Sequence, residues 1–90
     1  MKTYKLEYSK EALKDLKRLD NSVARVIYAW MKKNIEGSEN PRVHGKSLSS
    51  NRSGQWRYRI GNYRVICKIE DNRVLVLVLT IGHRSRIYDE

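Results

Sequence analysis

Two stretches of the chain carry side chains suited to handling phosphates. They are Gln55-Trp56-Arg57-Tyr58-Arg59-Ile60-Gly61-Asn62-Tyr63-Arg64 and Gly82-His83-Arg84-Ser85-Arg86-Ile87-Tyr88. A guanidinium can hold phosphate oxygens through parallel hydrogen bonds, and it stays protonated at any accessible pH. Arg57, Arg59, Arg64 and Arg84 are therefore anion binders and charge neutralisers rather than bases. His83 is the group in these stretches that titrates near neutrality, which makes it the candidate proton acceptor. Each has a plainer competing role: the arginines as surface ion-pair partners, His83 as the cap of a strand end. Lys46, with Arg42 and Arg52, forms a basic loop that can reach across phosphates, whereas His44 beside it reads as surface.

The elements that position these groups follow from hydrophobic period. Tyr4, Leu6 and Tyr8 alternate with Lys5 and Glu7, the two-residue period of a half-buried strand. Ser9 is a natural helix N-cap, and Ala12, Leu13, Leu16 and Leu19 recur at helical spacing, with Glu11 in the first turn and Lys17 and Arg18 in the last. Asp20-Asn21-Ser22 breaks that stripe and supplies new caps. A second stripe of Val23, Val26, Ile27, Trp30, Met31 and Ile35 then ends near Gly37. From Ser38 to Gly54 no period is sustained, and the segment reads as loop, with Leu48 as its anchor. Trp56, Tyr58 and Ile60 alternate with Arg57 and Arg59, Gly61-Asn62 makes a tight hairpin turn, and Tyr63 to Glu70 forms the next strand. Val74 to Leu79 is apolar on both faces, as in a strand covered from both sides. The prediction is an α+β domain over residues 1–90: an N-terminal strand, a two-helix hairpin, then a three-stranded antiparallel meander, with the helices on one face of the sheet. If Trp56, Tyr58 and Ile60 pack toward the helices, Arg57 and Arg59 point together to the other face, expected to be concave and polar.

Ninety residues exclude a second catalytic domain. With 19 Lys and Arg against 10 Asp and Glu the net charge is +9, a field that concentrates polyanions, so nucleic acid is the leading partner and an acidic protein its rival. Cys67 is the sole cysteine, which excludes an internal disulfide, and its apolar surroundings suit a core thiol. Trp30 and Trp56 fall on apolar faces and read as core, Trp56 unless the strand parity is reversed. No apolar signal region and no bilayer-spanning stretch is present, so a soluble cytoplasmic protein without membrane attachment is expected.

The chain resembles RelE toxins of the RelE/ParE toxin-antitoxin superfamily along nearly its whole length. The resemblance rests on the helix pair, Gly45-Lys46-Ser47-Leu48, the basic strand, Tyr63-Arg64 after the turn, and the tail His83-Arg84-Ser85-Arg86-Ile87-Tyr88. It implies the microbial-RNase-like fold of that superfamily. It also implies cleavage of mRNA in the ribosomal A site without metal or other cofactor, and a RelB-like, acidic cognate antitoxin as partner beside ribosome and mRNA. By the same resemblance, Arg64 braces the scissile phosphate, Arg84 stabilises transition-state charge from the other side, and Tyr88 stacks on a splayed base or orients an oxygen. Packing of the tail onto the sheet is the competing role for Tyr88. Some RelE toxins carry lysines where this chain has Arg57 and Arg59.

Cleavage of this kind needs the 2′-hydroxyl deprotonated, the phosphorane stabilised and the leaving 5′-oxygen protonated. His44 and His83 stand far apart in sequence and the acids form no ligand-spaced cluster, so no metal site is expected. The assignment is then Lys46, Arg57 and Arg59 for RNA binding, and Arg64, His83, Arg84 and Tyr88 for catalysis, with His83 as base and a 2′,3′-cyclic or 3′-phosphate product. The proton donor stays open. Two rivals share the charge pattern: a ParE-like toxin of the same fold that inhibits DNA gyrase, and a nonenzymatic nucleic-acid binder.

Overall fold

In the computed structural model, which describes residues 2–48 and 54–83, the hydrophobic periods become β1 (Lys5–Tyr8), α1 (Lys10–Arg18), α2 (Asn21–Asn34), β2 (Lys46–Ser47), β3 (Gln55–Ile60), β4 (Tyr63–Glu70) and β5 (Leu75–His83). Short 3₁₀ turns lie at Pro41–Val43 and Asp71–Arg73. The strands form one sheet in the order β1-β5-β4-β3-β2, with β1 parallel to β5 and the other neighbours antiparallel. β5 therefore runs inside the sheet, between β1 and β4.

Local chemistry starts and stops the helices. The Ser9 hydroxyl accepts the Ala12 N–H at 3.0 Å, capping α1. Asp20 occupies the N-cap position of α2, but its side chain makes no capping bond, so the cap expected there is positional only. Ala12, Ile27, Met31 and Ile35 pack on Tyr58 and Ile60 of β3, Val65, Cys67 and Ile69 of β4, and Val76, Val78 and Ile81 of β5. Leu13 and Val26, counted in the apolar stripes, stay exposed. Burial pushes the Cys67 thiol up, keeping it a protonated core group.

The stretch read as featureless loop is built. Tyr58 donates its buried hydroxyl to the Pro41 carbonyl at 2.7 Å, and Trp56 Nε1 donates to the His44 carbonyl at 2.6 Å. Gly45 has φ +81°, and a Cβ there would collide with the Arg57 carbonyl oxygen. Only glycine permits that approach. β2 then pairs with the edge of β3, Lys46 against Arg57 and Ser47 against Trp56. Two residues are too few to show a period, so the strand is set by its anchors rather than by its own pattern.

Two further ties fix what the sheet presents. Ile66 pairs with Thr80 and Cys67 with Val78, which leaves Leu79 as the extra residue of a β-bulge. From α1, the Ser9 hydroxyl donates to the Leu79 carbonyl at 3.0 Å, while Asp15 Oδ2 accepts the Ile81 N–H at 2.9 Å and the Thr80 hydroxyl at 3.1 Å. The helix thus satisfies backbone groups that the bulge takes out of the ladder. At the other end, Arg42 makes a two-pronged pair with Asp71 at 3.0 Å per contact, and Tyr4 donates to the same carboxylate at 2.7 Å.

Asp15→Ala leaves the Ile81 N–H without its acceptor and is expected to lower unfolding stability by about 1–3 kcal/mol in urea melts, with Asp15→Asn losing less because its amide oxygen can still accept. The hydrogen bonds from Arg42, then from Tyr4, hold the Asp71 carboxyl below the usual carboxylate range. A depressed folded-state pKa contributes stability that is present above the unfolded value of about 3.9 and is lost as pH falls through the folded value. Wild type should therefore be more stable than Asp71→Asn at pH 6, and the gap should close in melts taken below about pH 4.

Candidate nucleic-acid interface

On an antiparallel sheet, residues directly opposite one another share a face, so register decides which charges meet. Arg59 stands opposite Arg64, Lys46 opposite Arg57, and Lys68 opposite Gln55. Since Tyr58, Ile60, Val65 and Cys67 point into the helix-side core, this set projects from the opposite face. The expectation that Arg57 and Arg59 share a face holds, and the structure adds Arg64 and Lys46 to them. Like charges set directly opposite one another are destabilising. Among the described residues Lys46 and Arg59 form no ion pair.

The face is less polar than expected. Ile66, opposite Arg57, is 1% exposed, and Leu48 and Leu75 are buried with it outside the helix-side core. Cations and buried apolar side chains share this face.

His83 is placed differently from the arginines. It pairs with Tyr63, and the rings meet edge to face at 5.3 Å and 84°. Tyr63 packs against the helix-side core, and Gly82 is the residue opposite Arg64. The structure therefore brings Lys46, Arg57, Arg59 and Arg64 together but sets His83 on the other side of the ladder, at the terminal pair of β4. Arg84 and Tyr88 lie outside the described residues, as does Arg52. Arg42, read as a phosphate-reaching loop residue, instead holds Asp71 and lies 5.9 Å over the Trp56 ring.

A histidine does share the basic surface, and it is His44. Together with Trp30, Gly45, Lys46, Arg57 and Arg59 it lines a cleft of about 300 Å³ at the sheet edge. Its only trace in the sequence is its place before Gly45-Lys46, which carries no meaning until the loop is seen docked on β3. Among the described residues no group of three His, Cys, Asp or Glu side chains is placed to hold a metal ion. Among the described residues no helix is long and apolar enough to cross a membrane.

Comparison with known proteins agrees with this architecture. Residues 6–88 match the family described as the ParE toxin of the type II toxin-antitoxin system parDE. The chain is 29% identical to the mRNA interferase toxin RelE of Escherichia coli K12 over 90 residues, covering 97% of this chain and 92% of that one. It is 27% identical to toxin RelG of Mycobacterium tuberculosis over 85 residues, covering 94% of this chain and 95% of that one. Among solved structures, a chain of the RelBE2 toxin-antitoxin complex of M. tuberculosis superposes with a TM-score of 0.84 at 25% identity, covering 94% of this chain and 95% of that one. Fold, coverage and matched residues agree that this chain belongs to the RelE/ParE family and is a RelE-type toxin of a type II toxin-antitoxin system.

Proposed function

We propose that this toxin is a metal-independent, ribosome-dependent endoribonuclease that cleaves mRNA in the A site and is neutralised by an acidic antitoxin. The observation that carries the reading is the pairing of Arg59 with Arg64 and of Lys46 with Arg57 on one face. Four cations gathered on one face make a strip of positive charge, and a phosphodiester chain is an anion with repeating charge that such a strip attracts. The E. coli relative is named an mRNA interferase, and the M. tuberculosis neighbour is described in complex with its antitoxin.

In this mechanism Lys46, Arg57 and Arg59 hold phosphates of the message, and Arg64 braces the scissile one through parallel guanidinium hydrogen bonds that strengthen as charge develops on the phosphorane. Arg84 contributes charge from the tail and Tyr88 stacks on a splayed base or orients an oxygen. His83 takes the 2′-hydroxyl proton. The Tyr63–His83 pair begins the β4 ladder, and the end of a sheet is where its two faces adjoin. RNA braced on Arg64 must wrap around that end to present its hydroxyl to the imidazole, and without such wrapping the arginines carry catalysis by electrostatics alone. The ribosome supplies the wrapped strand, and the site of action is the cytoplasm.

The family description itself favours a second reading, a ParE-like toxin that inhibits DNA gyrase without cutting RNA. Mapping new 5′ ends in translating mRNA after induction, beside a gyrase supercoiling assay, separates the two.

Arg64→Ala is expected to lower single-turnover cleavage on programmed ribosomes by about 10²- to 10³-fold while leaving ribosome affinity within a few fold, because the lost contact belongs to the transition state. Equal losses in both assays assign Arg64 to binding alone. His83→Gln is expected to lower cleavage by about 10²- to 10⁴-fold with the fold intact, and the variant should lose the decline of cleavage at acidic pH that a general base gives the wild type. A near wild-type rate with an unchanged pH profile makes His83 structural.

A further inference from the structure

We propose that the cleft at the edge of β3 is a subsite for one unstacked nucleotide of single-stranded RNA, with the His44 ring as its stacking wall and Lys46 and Arg59 holding the flanking phosphates. The proposal rests on the ribonuclease reading but adds a base-binding element on the opposite flank of the basic strip from His83. The His44 and Trp30 rings meet at 5.4 Å and 74°, so they form two walls of a corner rather than a closed stack. Both are only partly buried and both line the cleft together with Lys46, Arg57 and Arg59. Aromatic walls beside a cationic strip are what sequence-tolerant binding of single strands uses: a π-face for the base and positive charge for the backbone. A cleft of about 300 Å³ has room for one nucleotide.

The corner is held in shape before any ligand arrives. His44 hangs from a carbonyl that accepts Trp56 Nε1–H at 2.6 Å. Gly45 seats its backbone against the Arg57 carbonyl where no side chain fits. Tyr58 ties Pro41 and Asp71 ties Arg42, so the first two residues of the 3₁₀ turn before His44 are fixed. Trp30 in turn leans on Tyr58 at 5.7 Å. A wall positioned this way loses little freedom when a base stacks on it, which is the condition for the contact to show in affinity. An ordinary surface histidine needs none of these supports.

The test uses a 2′-O-methyl RNA trinucleotide, which lacks the attacking hydroxyl and so stays intact, titrated into the full chain. Affinity is read by fluorescence anisotropy and contacts by NMR shifts. His44→Ala should weaken binding by about 5- to 100-fold, the range of one lost base stack, while His44→Phe, which keeps a flat ring, should stay within about 3-fold of wild type. In the wild-type protein the Trp30 indole and His44 ring resonances should move on titration, a readout independent of whether any variant folds. Arg59→Ala separates the two levels of the argument. If Arg59→Ala weakens binding but His44→Ala does not and the ring resonances stay still, RNA binds the strip and the subsite is refuted. Equal losses in His44→Ala and His44→Phe also overturn it, because the ring face would then not be the contact. If neither Arg59→Ala nor His44→Ala changes affinity, the RNA reading fails along with the subsite.

Discussion

The two-residue turn at Gly61-Asn62 sets the register of β3 against β4, and the functional face depends on that register. Gly61 has φ +59°, the left-handed value that the first central position of a type II′ turn requires. Ile60 then meets Tyr63, Tyr58 meets Val65, and Arg59 meets Arg64. A slip of one residue would turn Arg64 into the core and Val65 out of it, at a cost far above any gain from relieving the like-charge contact. The hydrophobic effect on the helix side therefore enforces cation pairing on the other side.

That division of labour explains how a small domain carries an unfavourable surface. Stability comes from the helix side, where Ile27, Met31 and Ile35 close over Tyr58, Val65, Cys67 and Val78. The opposite face keeps Ile66, Leu48 and Leu75 buried and displays Lys46, Arg57, Arg59 and Arg64. Ties at the two flanks hold the strip in place. The bracket of Ser9 and Asp15 on the β5 bulge fixes the strand that leads to His83, and the Arg42–Asp71–Tyr4 cluster fixes the segment that leads to His44 and Lys46. Arg42 and Asp15 illustrate how a charged residue in such a protein can serve geometry rather than substrate.

Much of the fold was legible because it is written in local periods. Ser9 as N-cap, the apolar stripe of α2, the alternation in β3 and the glycine turn each depend on residues within a few positions of one another. β2 was not legible, because a two-residue strand has no period and its position comes from contacts with Trp56, Arg57 and Tyr58, farther along the chain. Arg42 could not be told from Arg57 by type, since only the folded chain brings Asp71 beside it.

For the site, composition and alternation by themselves determined that the chain is basic and that Arg57 and Arg59 share a face, whereas the register of β3 against β4 added Arg64. Tertiary structure decided which histidine keeps them company. His83 lies next to a gap in side chains at Gly82 and one residue out of phase with Arg64, so strand parity sends it to the helix side beside Tyr63. His44 reaches the arginines because Gly45 lets a loop close on β3, a contact between segments that no local pattern encodes. Parity along one strand can be read from its residues, whereas the docking of a loop on a strand edge depends on shape complementarity that exists only once both are folded.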